Sequence, residues 1–276
     1  MARRAAQLLD ADTDDSLFTL FQALGDPSLG YCATHALLAA VLCELTARRL
    51  QVPDFVRPVL LLSALTMNIG MAHEQDKLAR QTAPPSAAQR KLIQEHPQAG
   101  AAMLRDFGVA NEDWLDLVGL HHESDEALGL PRNLECRRIL RAADGFIAKI
   151  AARATRSGLS ALGAAKAVLV HATGQEARVG SALAMAVGFY PPGTYVALAN
   201  GQIAVSAQRG AAANTPVVVS VVNAEGMPLG HYVLRDTSQS EFAIRSPVSP
   251  QRIRLKVSAK QVRKVLGKPS PTDRVE

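Results

Sequence analysis

A change of hydrophobic period near the middle of the second half constrains this chain more than any other feature. From about residue 15 to 185, apolar residues recur at three- and four-residue spacing, the period of amphipathic helices. At Tyr190-Pro191-Pro192-Gly193 that pattern stops, and alternation takes over. TYVALANGQIAVSAQ reads as two strands around an Asn200-Gly201 hairpin turn. PVVVSVV and HYVLRDT, joined by the turn NAEGMPLG, continue the strand signal. The expected fold is mostly α, a helical bundle followed by a small antiparallel β appendage. Four parts are expected: an N-terminal helical segment (1–30), a helical domain (31–187), the β appendage (188–258) and a basic tail (259–276).

Within the helical part, HALLAAVLCELTARRL carries Thr34 as its expected N-cap and Arg48 and Arg49 in its last turn. Further helices are read in PVLLLSALTMNI, SAAQRKLIQEHPQAGAAMLRDF, EDWLDLVGLHH, ECRRILRAADGFIAKIAARA and SALGAAKAVLVHA. Ser86 and Ser160 stand where caps are wanted. Trp114 and Tyr190 are expected to pack internally, as large aromatics usually do.

With 276 residues, of which 48% are hydrophobic and 20% charged, the chain can bury a real core. Collagenous, low-complexity and coiled-coil classes are excluded. Three cysteines without a CxxC suggest neither a disulfide framework nor a thiolate zinc site, so a reducing compartment is expected. The N-terminus lacks the pattern of a secretory signal, and VLLLSALTMNIGMA is too short to span a bilayer. A cytoplasmic protein without a membrane span is expected. The net charge of +5 is concentrated at the end: residues 251–276 carry eight Lys or Arg against Asp273 and Glu276. Such a tail is a solvated face or docking segment more often than a reader of bases, so nucleic acid is not the expected partner. RIRLKV alternates like a strand, and SAKQVRKVL fits a short basic helix.

Candidate chemistry lies in histidines carried by separate helices. His121-His122-Glu123 is the sharpest element, because adjacent helical residues point about 100° apart and can share a ligand only where the helix ends. Gly129 and Pro131 just downstream are consistent with that ending. His96 before Pro97 and His35 on an apolar helix would each, alone, be structural residues more often than ligands.

From residue 31 to 235 the chain resembles the HD-GYP branch of the HD metal-phosphohydrolase superfamily. The family stretch HHExxxGxGYP is similar to HHESDEALGLP at His121–Pro131, which departs from it at Ala127 and Leu130. The family's His-Pro falls on His96-Pro97, its early helix histidine on His35, and its later Ala-Asp on Ala143-Asp144. The YPPGT at Tyr190–Thr194 is also characteristic. The resemblance implies an HD-type helical bundle and hydrolysis of cyclic di-GMP at a two- or three-metal iron or manganese site. It implies metal ligands at His35, His96, His121, His122 and Asp144, and phosphate contacts at Arg153 and Arg156.

The name-giving His-Asp pair is absent. The family's LLHDIGK aligns with ALTMNIGM, placing Met67 at the histidine, Asn68 at the bridging aspartate and Met71 at the lysine. Tyr31 stands four residues before His35, where a metal-binding glutamate can occur. A neutral amide compensates two dications poorly, and thioethers are weak ligands for these metals. The expectation is one iron or manganese ion at most, held by His96, His121 and His122 with Asn68 as a weak fourth ligand. His73, Glu74 and Asp76 could rescue the site, although a solvated loop or helix start is the commoner role for such residues. The expected function is cyclic di-GMP related signalling through a cyclic dinucleotide or a partner protein, with catalysis impaired. An active phosphodiesterase with an altered site is the alternative. A homodimer is compatible with the sequence, and no pattern in it identifies an interface.

Overall fold

The computed structural model describes residues 12–268 apart from 27, 128, 155, 171 and 254. The chain begins with α1 (Thr13–Leu24), capped by the Asp12 side chain accepting from Asp15 N. Next come α2 (Tyr31–Arg49), α3 (Arg57–Thr66), a 3-10 turn (Ile69–Met71) and α4 (Ala72–Arg80). The series continues with α5 (Ala87–Asp106), α6 (Glu112–Gly119), α7 (Leu134–Ile150), α8 (Ala161–Leu169) and α9 (Gly174–Val187). Five antiparallel strands follow, and α10 (Ala259–Val265) packs against them.

The centre of the helical body is α2. Its residues Leu38 to Ala47 are buried without interruption, which a surface helix with one apolar stripe cannot achieve. Leu38, Leu42 and Leu45 pack in one core with Leu17, Leu60, Leu117, Ile139, Phe146 and Leu183, drawn from α1, α3, α6, α7 and α9. Alanines 39, 40 and 47 keep the α2 surface thin, so neighbouring helices approach closely.

The caps expected at Ser86 and Ser160 are present; Ser86 and Gln89 form a reciprocal capping box, and Ser160 Oγ accepts from Gly163 N. Thr34 is not a cap. α2 starts four residues earlier, with Gly30 at the N-cap position, and the Thr34 hydroxyl donates to Gly30 O at 2.9 Å inside the first turn. The missing cap comes from elsewhere: Asp76 Oδ1, on α4, accepts from Cys32 N at 2.7 Å.

The sheet runs in the order β4-β3-β2-β1-β5, with β1 (Tyr195–Leu198), β2 (Ile203–Gln208), β3 (Val217–Val222), β4 (Pro228–Asp236) and β5 (Ile244–Val248). Asn200-Gly201 makes the expected hairpin turn, with Gly201 at φ +85°. The described residues of RIRLKV form no strand; the fifth strand is Ile244–Val248, upstream of it. Ile253, Leu255 and Val257 instead pack on one sheet face beside Val262 of α10. α1 joins the two cores, sending Leu17 and Phe21 into the helical core and Phe18 onto the sheet. Gly193, at φ +92°, lies against Phe18; a Cβ there would stand 2.6 Å from Phe18 O.

Part of the basic tail is folded onto the N-terminal acids. Arg263, 6% exposed, pairs with Asp15, and Lys268 pairs with Asp12 at 3.0 Å. Arg209 from β2's end pairs with Asp14. The tail is thus a docking segment over its described length, 259–268.

The segment carrying Asn68 is pressed onto α5. A Cβ on Gly70 would lie 2.3 Å from His96 O and 2.8 Å from Gly100 N, both backbone atoms that cannot move aside. Gly70→Ala is therefore expected to cost about 2 kcal/mol or more in stability, read as a lower midpoint in urea unfolding. An unchanged midpoint would mean the two segments are not in this contact.

Candidate metal centre

His96 owes its orientation to the residue after it. Pro97 has no N–H, so the Ile93 carbonyl four residues back loses its helical donor. His96 Nδ1 takes that place, donating to Ile93 O at 2.7 Å. His121 is fixed in the same way by a different device. α6 ends at Gly119, leaving Val118 O without an intrahelical partner, and His121 Nδ1 donates to it at 2.7 Å. Both rings are fully buried. With each Nδ1 carrying its hydrogen to a carbonyl, each Nε2 is left as a lone pair, and the two Nε2 atoms face one another at 3.3 Å.

Two acceptors at that distance do not hydrogen-bond. Protons are not readily supplied: burial, then the neighbouring His122, push His121 down to about 3, and burial lowers His96 as well. A cation is the species that suits the gap. Metal–nitrogen distances near 2.1 Å with ligand angles of 90° to 109° place two ligand nitrogens about 3.0 to 3.4 Å apart. His122 completes the group, its ring centroid 4.1 Å from that of His121 and 5.2 Å from that of His96. Ligand atoms of the three lie within 4.8 Å of one another, the one such group among the described residues. His122 is also the exposed member, its side chain 44% accessible, so the group opens to solvent there.

His35 and Asp144 adjoin this trio. Asp144 Oδ1 accepts from His35 Nε2 at 2.8 Å, and its Oδ2 lies 3.8 Å from His122 Nδ1. Burial would raise the Asp144 carboxyl, but the His35 hydrogen bond and the surrounding imidazoles outweigh it and hold the group well below the usual carboxylate range. His35 Nδ1 is 3.0 Å from the Tyr31 hydroxyl. In the neutral ring Nε2–H goes to Asp144, so Nδ1 accepts from Tyr31, and neither nitrogen is left over. All five residues expected as ligands are thus brought together, but in two states: three imidazoles converge with free nitrogens, while His35 and Asp144 satisfy each other.

Met67 is fully buried in the helical core. Asn68 is 5% exposed, and its Oδ1 has no hydrogen-bond partner, an unsatisfied acceptor on the segment that packs over His96. Arg153 and Arg156 are exposed beyond the end of α7. Burial raises the Tyr31 pKa, and the nearby Arg153 and Arg156 guanidiniums, which favour the phenolate, only partly offset it. Arg156 Nη2 donates to Ala148 O at 2.6 Å, closing the end of α7. Of the rescue residues, Glu74 pairs with Lys77 and Asp76 caps α2, and the group of convergent ligand atoms contains neither. Trp114, on α6, is partly buried against the cluster of Leu104, Leu115 and Val118 and donates from Nε1 to Thr66 Oγ1 at 2.8 Å. Tyr190 is half-buried against the sheet.

The Tyr31 contact to His35 was not anticipated; the signal for it is the four-residue spacing, which stacks the two side chains on one helix face. The two carbonyls that set the histidine tautomers were also unforeseen, although Pro97 marks one of them.

No family model matches the chain. Over 181 residues it is 28% identical to a cyclic di-GMP phosphodiesterase of Pseudomonas aeruginosa, a stretch that covers 63% of this chain and 44% of that protein. The chain spans less than half the length of this curated relative. No helix among the described residues is long and apolar enough to cross a membrane.

Two outcomes are expected of the site residues. The folded chain holds His121 near 3 where the free side chain titrates near 6.5, so the unfolded chain takes up a proton first as pH falls. The contribution of this ring is complete above pH 6.5 and is lost below it, at about 1 kcal/mol per pH unit. Urea unfolding of the metal-free protein at falling pH should show this slope, and His121→Gln should flatten it. Separately, Asp76→Ala should cost about 1 kcal/mol through the lost cap while leaving metal content unchanged; loss of metal in that variant would return Asp76 to the site.

Proposed function

We propose that this chain is a divergent HD-GYP-type domain that acts in cyclic di-GMP related signalling by binding a ligand or partner, with catalysis impaired. The observation that carries this reading is the composition of the centre: three convergent imidazoles, and a neutral amide with an unsatisfied oxygen, Asn68, where the resemblance places a bridging carboxylate. The relationship to a cyclic di-GMP phosphodiesterase supports the ligand class.

The donor set fits one metal ion. His96, His121 and His122 would hold it, with Asn68 Oδ1 as a weak fourth donor, and imidazole-rich coordination suits iron better than manganese. When bound, such an ion supplies Lewis acidity toward a phosphoryl oxygen and lowers the pKa of water. The protein's own part is orientation. Ile93 O and Val118 O keep the Nε2 lone pairs of His96 and His121 aimed inward, the outer-shell arrangement that raises imidazole basicity. Without a carboxylate at position 68, the charge needed to hold a second dication beside the first is missing, and His35 and Asp144 hydrogen-bond each other instead. Arg153 and Arg156 offer planar guanidiniums near Tyr31, suited to the phosphates of a cyclic dinucleotide.

The second reading, a working phosphohydrolase with an altered site, draws on one observation: all five expected ligand positions meet in space. Metal analysis and a cyclic di-GMP hydrolysis assay in added ferrous iron or manganese separate the two. The expected result is no more than one metal per chain, lost in His121→Ala, with no significant turnover. Asn68→Asp is expected to raise metal content and increase hydrolysis about tenfold or more. Two metals and rapid turnover in the unaltered protein would overturn the impaired reading in favour of an active enzyme.

A further inference from the structure

β4 is the longest strand of the sheet and lies at its edge. One side pairs with β3, from Val217↔Asp236 to Val222↔Pro228. Alternate N–H and C=O groups of an edge strand point the other way, and among the described residues no backbone group takes them up. Leu229 to Leu234 contain no Lys, Arg, Asp or Glu. Val233 and Leu234, on opposite faces, are 37% and 45% exposed.

The opposite edge is built differently. β5 is only five residues long, includes Pro247, which cannot donate, and exposes Arg245. A short strand, a proline and a charge are the usual means of protecting an edge from further pairing. In β4 the proline is confined to the first position and the charges to the last two, Arg235 and Asp236.

The strand is also complementary to itself. Residues 230, 232 and 234 share one face. Gly230 has no atom within 4 Å of where a Cβ would stand, which leaves a side-chain gap. Leu234, the same distance from Tyr232 on the other side, is the exposed apolar side chain. A two-fold axis through Tyr232 pairs position 230 with 234 and lays each Leu234 across the partner's gap. The same antiparallel arrangement sends the two Arg235-Asp236 ends to opposite extremes, so no like charges meet. We propose that β4 is an interface with a second copy of this chain, joining two five-stranded sheets into one continuous antiparallel sheet.

The test is the mass of the full chain by light scattering and sedimentation between about 1 and about 100 µM, a range that spans ordinary self-association. A dimer is expected. Leu234→Lys should weaken it about tenfold or more, whereas Ser246→Lys on the β5 edge should leave it unchanged; circular dichroism reports whether each variant is folded. Amide exchange of residues 228–236 in the unaltered protein should slow as concentration rises, which tests the interface even if Leu234→Lys does not fold. A monomer throughout the range, a dimer that folded Leu234→Lys does not weaken, or exchange in 228–236 that ignores concentration would each overturn the proposal.

Discussion

Burial of α2 on all sides is the constraint from which the rest of the helical body follows. Ten consecutive residues, Leu38 to Ala47, are buried, so the helices packed around this stretch must present apolar faces to it. Six others contribute to the same core, and the alanines of α2 let its neighbours approach closely enough to fix their positions to the tolerance of side-chain packing. The price is one buried charge: Glu44, 5% exposed, requires Arg48 and Arg57 at 2.7 and 2.8 Å. His35 sits in the first turns of the same helix, so the packing that orders the core also sets the distance from His35 to Asp144 on α7.

Backbone carbonyls rather than side chains control the histidines. A helix normally consumes its carbonyls, and a free one inside a protein must be satisfied. Pro97 liberates Ile93 O and the end of α6 liberates Val118 O, and each imidazole that satisfies one is left with its Nε2 lone pair pointing at the other. That arrangement is unfavourable without a cation and favourable with one. The cost of holding it is met by the surrounding core and by the contact of Gly70 with α5. His35 differs because its partners are Asp144 and Tyr31, which satisfy both ring nitrogens. The two halves of the site therefore contain similar residues in different chemical states.

Electrostatics ties the ends of the chain together. Asp12, Asp14 and Asp15 at the start of α1 meet Lys268, Arg209 and Arg263, an arrangement that favours the helix N-terminus twice, through its dipole and through ion pairs. This contact holds α10 on the sheet and α1 between sheet and helical core. A tail that looks like a free basic segment in one dimension is, over 259–268, part of the fold.

Much was legible from residues alone. The shift from a period of 3.6 to a period of 2 marked the change from helices to sheet, because apolar spacing reflects which side of each element is buried. Ser86, Ser160 and Asn200-Gly201 were readable because caps and tight turns are local interactions. The histidine positions were legible through resemblance, and Asn68 was legible as a neutral amide. What needed the tertiary structure was everything set by contacts distant in sequence: the cap on α2 supplied by Asp76 instead of Thr34, the packing of Ile253 and Leu255 without a strand, and the hydrogen bond that spends His35 on Asp144. Sequence determines which groups exist and how they alternate along the chain. Only the folded chain decides which lone pairs stay free, because that depends on which partners arrive from 25 to 109 residues away.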